Sequence, residues 1–170
     1  MPSYLRQIII YAVVIMLQVI TNNYVNLGPM IYICMVPLLI MYLPLDQKSY
    51  ISLIIAFGLG LIVDILSDGV MGLNAGAATL LALVYKPIFY PVFKKNTYSK
   101  KFIPTVEESD IWHHVLYLLI IIAIYFLFYI AFDGLARTTL LVSLLRYLIN
   151  IAVNLALAVV VDVTLFNKSR

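Results

Sequence analysis

Charge is what this chain has least of. Only 11% of its 170 residues are Asp, Glu, Lys or Arg, against about 25% in a soluble domain. Its hydrophobic share is 64%, against about 45–50%. That balance excludes an ordinary soluble fold, and a mean hydropathy of +1.05 places the chain among integral membrane proteins. Cysteine is nearly absent. Cys34 stands alone, so no internal disulfide is possible, and it reads as a small buried side chain in an apolar run. There is no G-x-S-x-G, no H-E-x-x-H and no phosphate-cradling glycine loop. No Ser, His and Asp share one depth, and no acidic ladder crosses the chain as a proton relay would require. The expectation is a protein without catalytic residues, cofactor or metal. The adjacent His113 and His114 point to different helix faces, a poor metal pair, and with Trp112 they read as interfacial anchors. The net charge of +3 is no nucleic-acid signal, because the basic residues sit at the ends of apolar runs, where topology and membrane lipid explain them.

What is present is a series of apolar runs. A spanning helix takes about 20 mostly apolar residues. Six are expected, near residues 7–21, 29–43, 50–66, 70–85, 112–132 and 139–166. They fill the chain as one integral membrane domain over residues 1–170, all-α, folded as a compact six-helix bundle. The first run is followed by TNNYVN with no A-x-A site, which favours a retained anchor over a cleaved signal. Residues 86–95, KPIFYPVFKK, carry two prolines four apart and read as a non-helical interfacial segment. With six spans, Arg6, Lys48, Lys86, Lys94, Lys95, Lys100, Lys101, Lys168 and Arg170 fall on one side and Arg137 alone on the other. The excess of lysine and arginine marks the cytoplasm. Both termini and the 94–110 loop are therefore expected on the cytoplasmic side of the inner membrane, with the 67–69 and 133–137 turns on the extracytoplasmic side. The thirteen tyrosines gather near span ends as an aromatic belt.

Polar residues inside the runs are the candidates for function. Thr139, Ser143, Arg146, Asn150 and Asn154 fall within an arc of about 80° when each helical residue turns by about 100°. Further in, the same face becomes Leu157 and Val161. Asp64 and Asn74 lie about one turn inside the outer ends of their spans. The expectation is an outward polar cluster of Asp64, Asn74, Ser143, Arg146, Asn150 and Asn154, with Asp64–Arg146 as its ion pair. Two readings stay open: a lock for the bundle, or a site for a partner's helix, an extended segment or a small ligand. Asp162 and Lys86 share a depth near the inner side and either pair or reach the interface separately. Gly72 and Gly76 form a G-x-x-x-G, and Ala56 and Gly60 a similar small pair, both features of close helix packing.

The stretch GLGLIVDILSDGVMGLNAGAATLLA resembles the hairpin between two central spans of the bacterial rod-shape-determining MreD family. Gly60, Asp64, Ser67, Gly72, Leu73 and Ala75 hold the matching positions. Asn74 stands where many members have histidine, and the 94–110 loop is longer than that family suggests. The close match covers about 25 residues, and the six-span layout agrees with the remainder. The resemblance implies a non-enzymatic part of the cell-elongation machinery, acting in peptidoglycan synthesis and cell shape. It implies a fold like the substrate-binding subunits of energy-coupling-factor transporters. It also implies an MreC-like scaffold protein as partner, with links to a RodA-like polymerase, its transpeptidase and the MreB filament. The alternative is a vitamin-binding membrane subunit of such a transporter. The first run, IIIYAVVIMLQVI, lacks the A-x-x-x-A docking surface frequent in that class.

Overall fold

The computed structural model describes residues 3–25, 28, 30–67, 70–93, 111–134 and 139–166. The 94–110 loop, Asp68, Gly69, residues 135–138 and residues 167–170, on which several topological expectations rest, lie outside the described residues. The described chain is helical: α1 (Ser3–Tyr24), α2 (Val36–Met41), α3 (Ser49–Leu66), α4 (Leu73–Val92), α5 (Ile111–Gly134) and α6 (Leu140–Val161), the last running into a π-helical turn (Asp162–Phe166). Five of these helices, α2 excepted, are long and apolar enough to cross a membrane. Their outward faces carry the large apolar residues expected against lipid, such as Ile54 on α3, Leu127 on α5 and Leu141 on α6. The chain is a helical membrane protein.

The hairpin of α3 and α4 packs most closely. Helix α5 lies on α4, α6 lies on α5, and α1 leans on α3. Helix α2 is enclosed by α3, α4 and α5. Its six residues, VPLLIM, are all buried.

The run at 29–43 is not the single helix its apolar composition suggested. Residues 31–35 lie outside any helix, with Met35 at φ −95° and ψ −1° leading into the turn, and only Val36–Met41 coil into a helix. Pro37 has no N–H to bond the carbonyl of Ile33 four residues back, so a helix is not continued upstream of it. It sits instead at the start of α2, where a proline is tolerated. The segment runs antiparallel to α3. Tyr32 lies near Asn74 at the end of the bundle holding Asp64. Pro44 lies at the opposite end, where its carbonyl accepts from Tyr85, 3.4 Å away, whose hydroxyl lies 3.1 Å from Ser52.

Helix α4 also differs from expectation. It continues to Val92, with Pro87 and Pro91 inside it, so 86–92 is not a separate interfacial segment. Proline within a membrane helix is tolerated where neighbours satisfy and pack the disturbed backbone. Here the packing is visible: Tyr117 on α5 donates to the Tyr85 carbonyl at 2.9 Å, which ties the stretch before Pro87 to its neighbour. Phe89 and Phe93 pack edge-on against the Tyr117 ring at 5.7 and 5.4 Å.

Candidate functional site

The polar residues converge at the Asp64 end, in two connected groups. The first is built on the α3–α4 turn. Asp64, 2% exposed, sits near the C-terminus of α3 and faces the start of α4. One carboxylate oxygen accepts from the backbone N–H and the side-chain amide of Asn74, at 3.0 and 2.8 Å. The other accepts from the N–H groups of Gly72 and Ala75, both at 3.0 Å. A helix start leaves its first N–H groups unsatisfied and partially positive. Asp64 supplies the missing acceptors from the preceding helix, and Gly72 makes the turn with φ +88°, a conformation suited to glycine.

The expected Asp64–Arg146 ion pair is therefore not formed. Arg146 donates to Asp133 at 2.8 Å, joining α6 to the end of α5. The physical reason is that the α4 helix start already balances the carboxylate, so no cation is needed. Depth alone suggested the pair, and depth does not see backbone donors.

From Asn74 the network spreads across the bundle. Its side-chain amide donates to the Tyr32 hydroxyl at 2.9 Å, and its carbonyl oxygen accepts from Tyr125 at 2.6 Å. Tyr32 stacks on Tyr129 at 4.8 Å. The Cys34 thiol lies 3.1 Å from the Tyr125 oxygen, and Gln18 on α1 donates to its sulfur at 3.5 Å.

The second group is a pair of asparagines serving the extended segment. Asn150 accepts from the Tyr32 N–H at 2.7 Å and donates to the Met30 carbonyl at 2.9 Å. Asn154 accepts from the Cys34 N–H at 2.7 Å and donates to the Tyr32 carbonyl at 2.8 Å. Four residues of helix rise about 6 Å, and two residues of extended chain about 6.6 Å. Asparagines at i and i+4 thus match alternate residues of a strand, and α6 acts as its hydrogen-bonding neighbour. The sequence showed the stripe. It did not show that the partner is backbone.

Among the remaining candidates, Ser143 is half-buried on the first turn of α6, where its N–H bonds the carbonyl of Thr139. Gly60 lies where α3 and α4 touch: a Cβ there would fall 2.5 Å from the Ala75 Cα. Gly72 has open space around it and is fixed by its backbone angle, while Gly76 makes only an ordinary 3.7 Å approach to Phe132.

A separate cluster at the other end was missed. His114, 1% exposed, lies 2.7 Å from Asp162, which also accepts from the Tyr42 hydroxyl. Lys86 instead donates to the Gln47 carbonyl, so it is not the partner of Asp162. Of the two histidines only His113 is exposed, so His114 is no interfacial anchor. The sign was available: adjacent helical residues face different ways, and a helix this apolar turns one of them inward.

Taken together, the fold and these networks define a class, a polytopic helical membrane protein with a hydrogen-bonded polar interior at one end. Among the described residues no group of three or more His, Cys, Asp or Glu is placed to hold a metal. No protein-family model, no curated protein and no solved structure matches the chain.

Proposed function

We propose that the protein is a non-enzymatic, MreD-like scaffold of the cell-elongation machinery in the bacterial cytoplasmic membrane. In this reading the chain crosses the membrane six times, counting the 30–44 segment, with both termini in the cytoplasm and the Asp64 end outward. The 30–44 segment runs from the Asp64 end of the bundle, where Tyr32 meets Asn74, to the opposite end, where Pro44 meets Tyr85. Its partner is an MreC-like protein held at the outer half.

The observation that supports this reading best is the geometry of the α3–α4 turn. Gly60 permits the helix contact, Asp64 caps the next helix and Gly72 makes the turn. Those are residues that carry the resemblance, and each has a physical task there. The vitamin-binder reading is less favoured because Asp64 and Asn74 already spend their hydrogen-bonding capacity on each other, on Tyr32, on Tyr125 and on the start of α4. A small polar ligand has to break those bonds to enter.

The test is purification of the full chain from its native membrane. Recovery of a coiled-coil, MreC-like protein is expected. Recovery of ABC-type ATPases with a bound vitamin would replace the scaffold by the transporter reading.

A further inference from the structure

A chain running extended past α6 has two edges, and among the described residues they are served unequally. In extended chain the N–H and C=O of alternate residues point to opposite sides. The even edge, Met30, Tyr32 and Cys34, is taken by Asn150 and Asn154. On the odd edge, Met35 N–H donates to Gln18 on α1 at 2.9 Å. The N–H and C=O groups of Ile31 and Ile33 make no hydrogen bond to another described residue. Pro37 removes the helical N–H that would otherwise reach Ile33 C=O. Asn22, one turn outward from Gln18 on α1, has a buried amide nitrogen that likewise lacks a partner among the described residues. Helix α1 is tied elsewhere at this level, Asn23 donating to the Leu66 carbonyl of α3 at 2.9 Å. Ile31 and Ile33 are only half-buried.

Irregular backbone at membrane depth is tolerated only where protein or trapped water satisfies it. The groups left over are a donor and an acceptor on each of two residues about 6.6 Å apart. A helix cannot meet them, since its own backbone groups are spent. An acyl chain has no polar atom to offer. An extended polypeptide matches both spacing and polarity.

We propose that the Ile31–Ile33 edge is a docking site for an extended segment of a partner protein, which adds to it as a second strand. Main-chain bonds supply the affinity, and alternate apolar side chains of the incoming segment meet the aliphatic surroundings. The inference deepens the scaffold reading and rests on it for the partner, but the edge itself is tested separately.

The experiment uses the full chain purified from its native membrane with whatever partner it retains. Ile33→Pro deletes the N–H at the edge. It also suits an extended position, and Tyr32 before it is already extended, as a residue preceding proline prefers. Ile33→Val keeps the edge. Correct folding of each variant is checked by the inaccessibility of Cys34 to maleimide. Co-purified partner is expected to fall by at least about tenfold with Ile33→Pro, and by no more than about twofold with Ile33→Val. Hydrogen exchange over residues 30–35 is expected to be at least about tenfold slower in the complex than after the partner is stripped away. Ile31→Pro provides a second variant should Ile33→Pro misfold.

Equal partner recovery with Ile33→Pro and Ile33→Val overturns the proposal. So does slow exchange in the stripped protein, because the edge is then closed from within. So does fast exchange in the complex, because the edge then faces water. If an MreC-like protein is retained while the edge stays open, the docking mode fails and the scaffold stands. If a different chain is retained and protects the edge, the scaffold reading fails and the docking mode stands.

Discussion

At the residue scale, two glycines of the third helix separate by consequence although composition treats them alike. A Cβ on Gly60 meets the backbone of Ala75 at 2.5 Å, while one on Gly58 meets nothing within 4 Å. Gly60→Ala is expected to push α3 and α4 apart and cost about 1–3 kcal/mol or more. Gly58→Ala should be neutral or gain up to about 1 kcal/mol through helix propensity. Thermal unfolding in detergent, read by size-exclusion fluorescence, distinguishes them. Charges divide in the same way. A double-mutant cycle of Arg146→Gln with Asp133→Asn should give a coupling of about 0.5–3 kcal/mol, since the two groups are bonded. The cycle with Asp64→Asn in place of Asp133→Asn should give a coupling near zero. A large Asp64–Arg146 coupling would contradict the helix-start role of Asp64. Asp64→Ala alone should cost at least about 2 kcal/mol, because it strands the donors of Gly72, Asn74 and Ala75 at once.

At the scale of the element, α6 behaves as the neighbouring strand of a chain that has none. Asn154→Leu keeps a side chain of similar bulk that suits an apolar helix but orphans the Cys34 N–H and Tyr32 C=O. Each orphaned group costs about 1–3 kcal/mol, so loss of the folded state is expected in the same unfolding assay. Asn154→Asp retains the acceptor for Cys34 and should be milder. The element scale is also where the sequence was most and least informative. The runs that became α3, α5 and α6 were legible because length and hydropathy suffice for a helix facing lipid. The second run was equally apolar, yet its 34–43 part is buried among the other helices. Burial alone does not distinguish a helix from an extended segment, and only Pro37 hinted at the difference. Pro87 and Pro91 misled in the opposite direction, since the aromatic contacts of Phe89, Phe93 and Tyr117 that pack α4 on α5 around them are tertiary. The asparagine stripe could be read from spacing. Its partner could not, because backbone carries no side-chain signature.

At the scale of the whole molecule, residues 34–43 form a core that the helices surround, and Cys34, 2% exposed, reports on it. As the single cysteine of the chain it needs no engineering. A membrane-permeant maleimide should leave it unlabelled in the intact protein. It should label a chain stopped after residue 139, in which α6 no longer covers the 30–34 backbone. Equal protection in both chains would show that α6 is dispensable for housing the segment. The same enclosure bears on biogenesis. A translocon releases helices sideways into lipid because each has satisfied its own amides, and residues 30–35 never do so. They emerge early from the ribosome, whereas the asparagines that complete them are synthesised some 120 positions later. Maturation of this segment therefore waits for α6, and until that helix arrives an early stretch of the polypeptide stays unsheltered, a client for whatever insertase or chaperone attends the membrane.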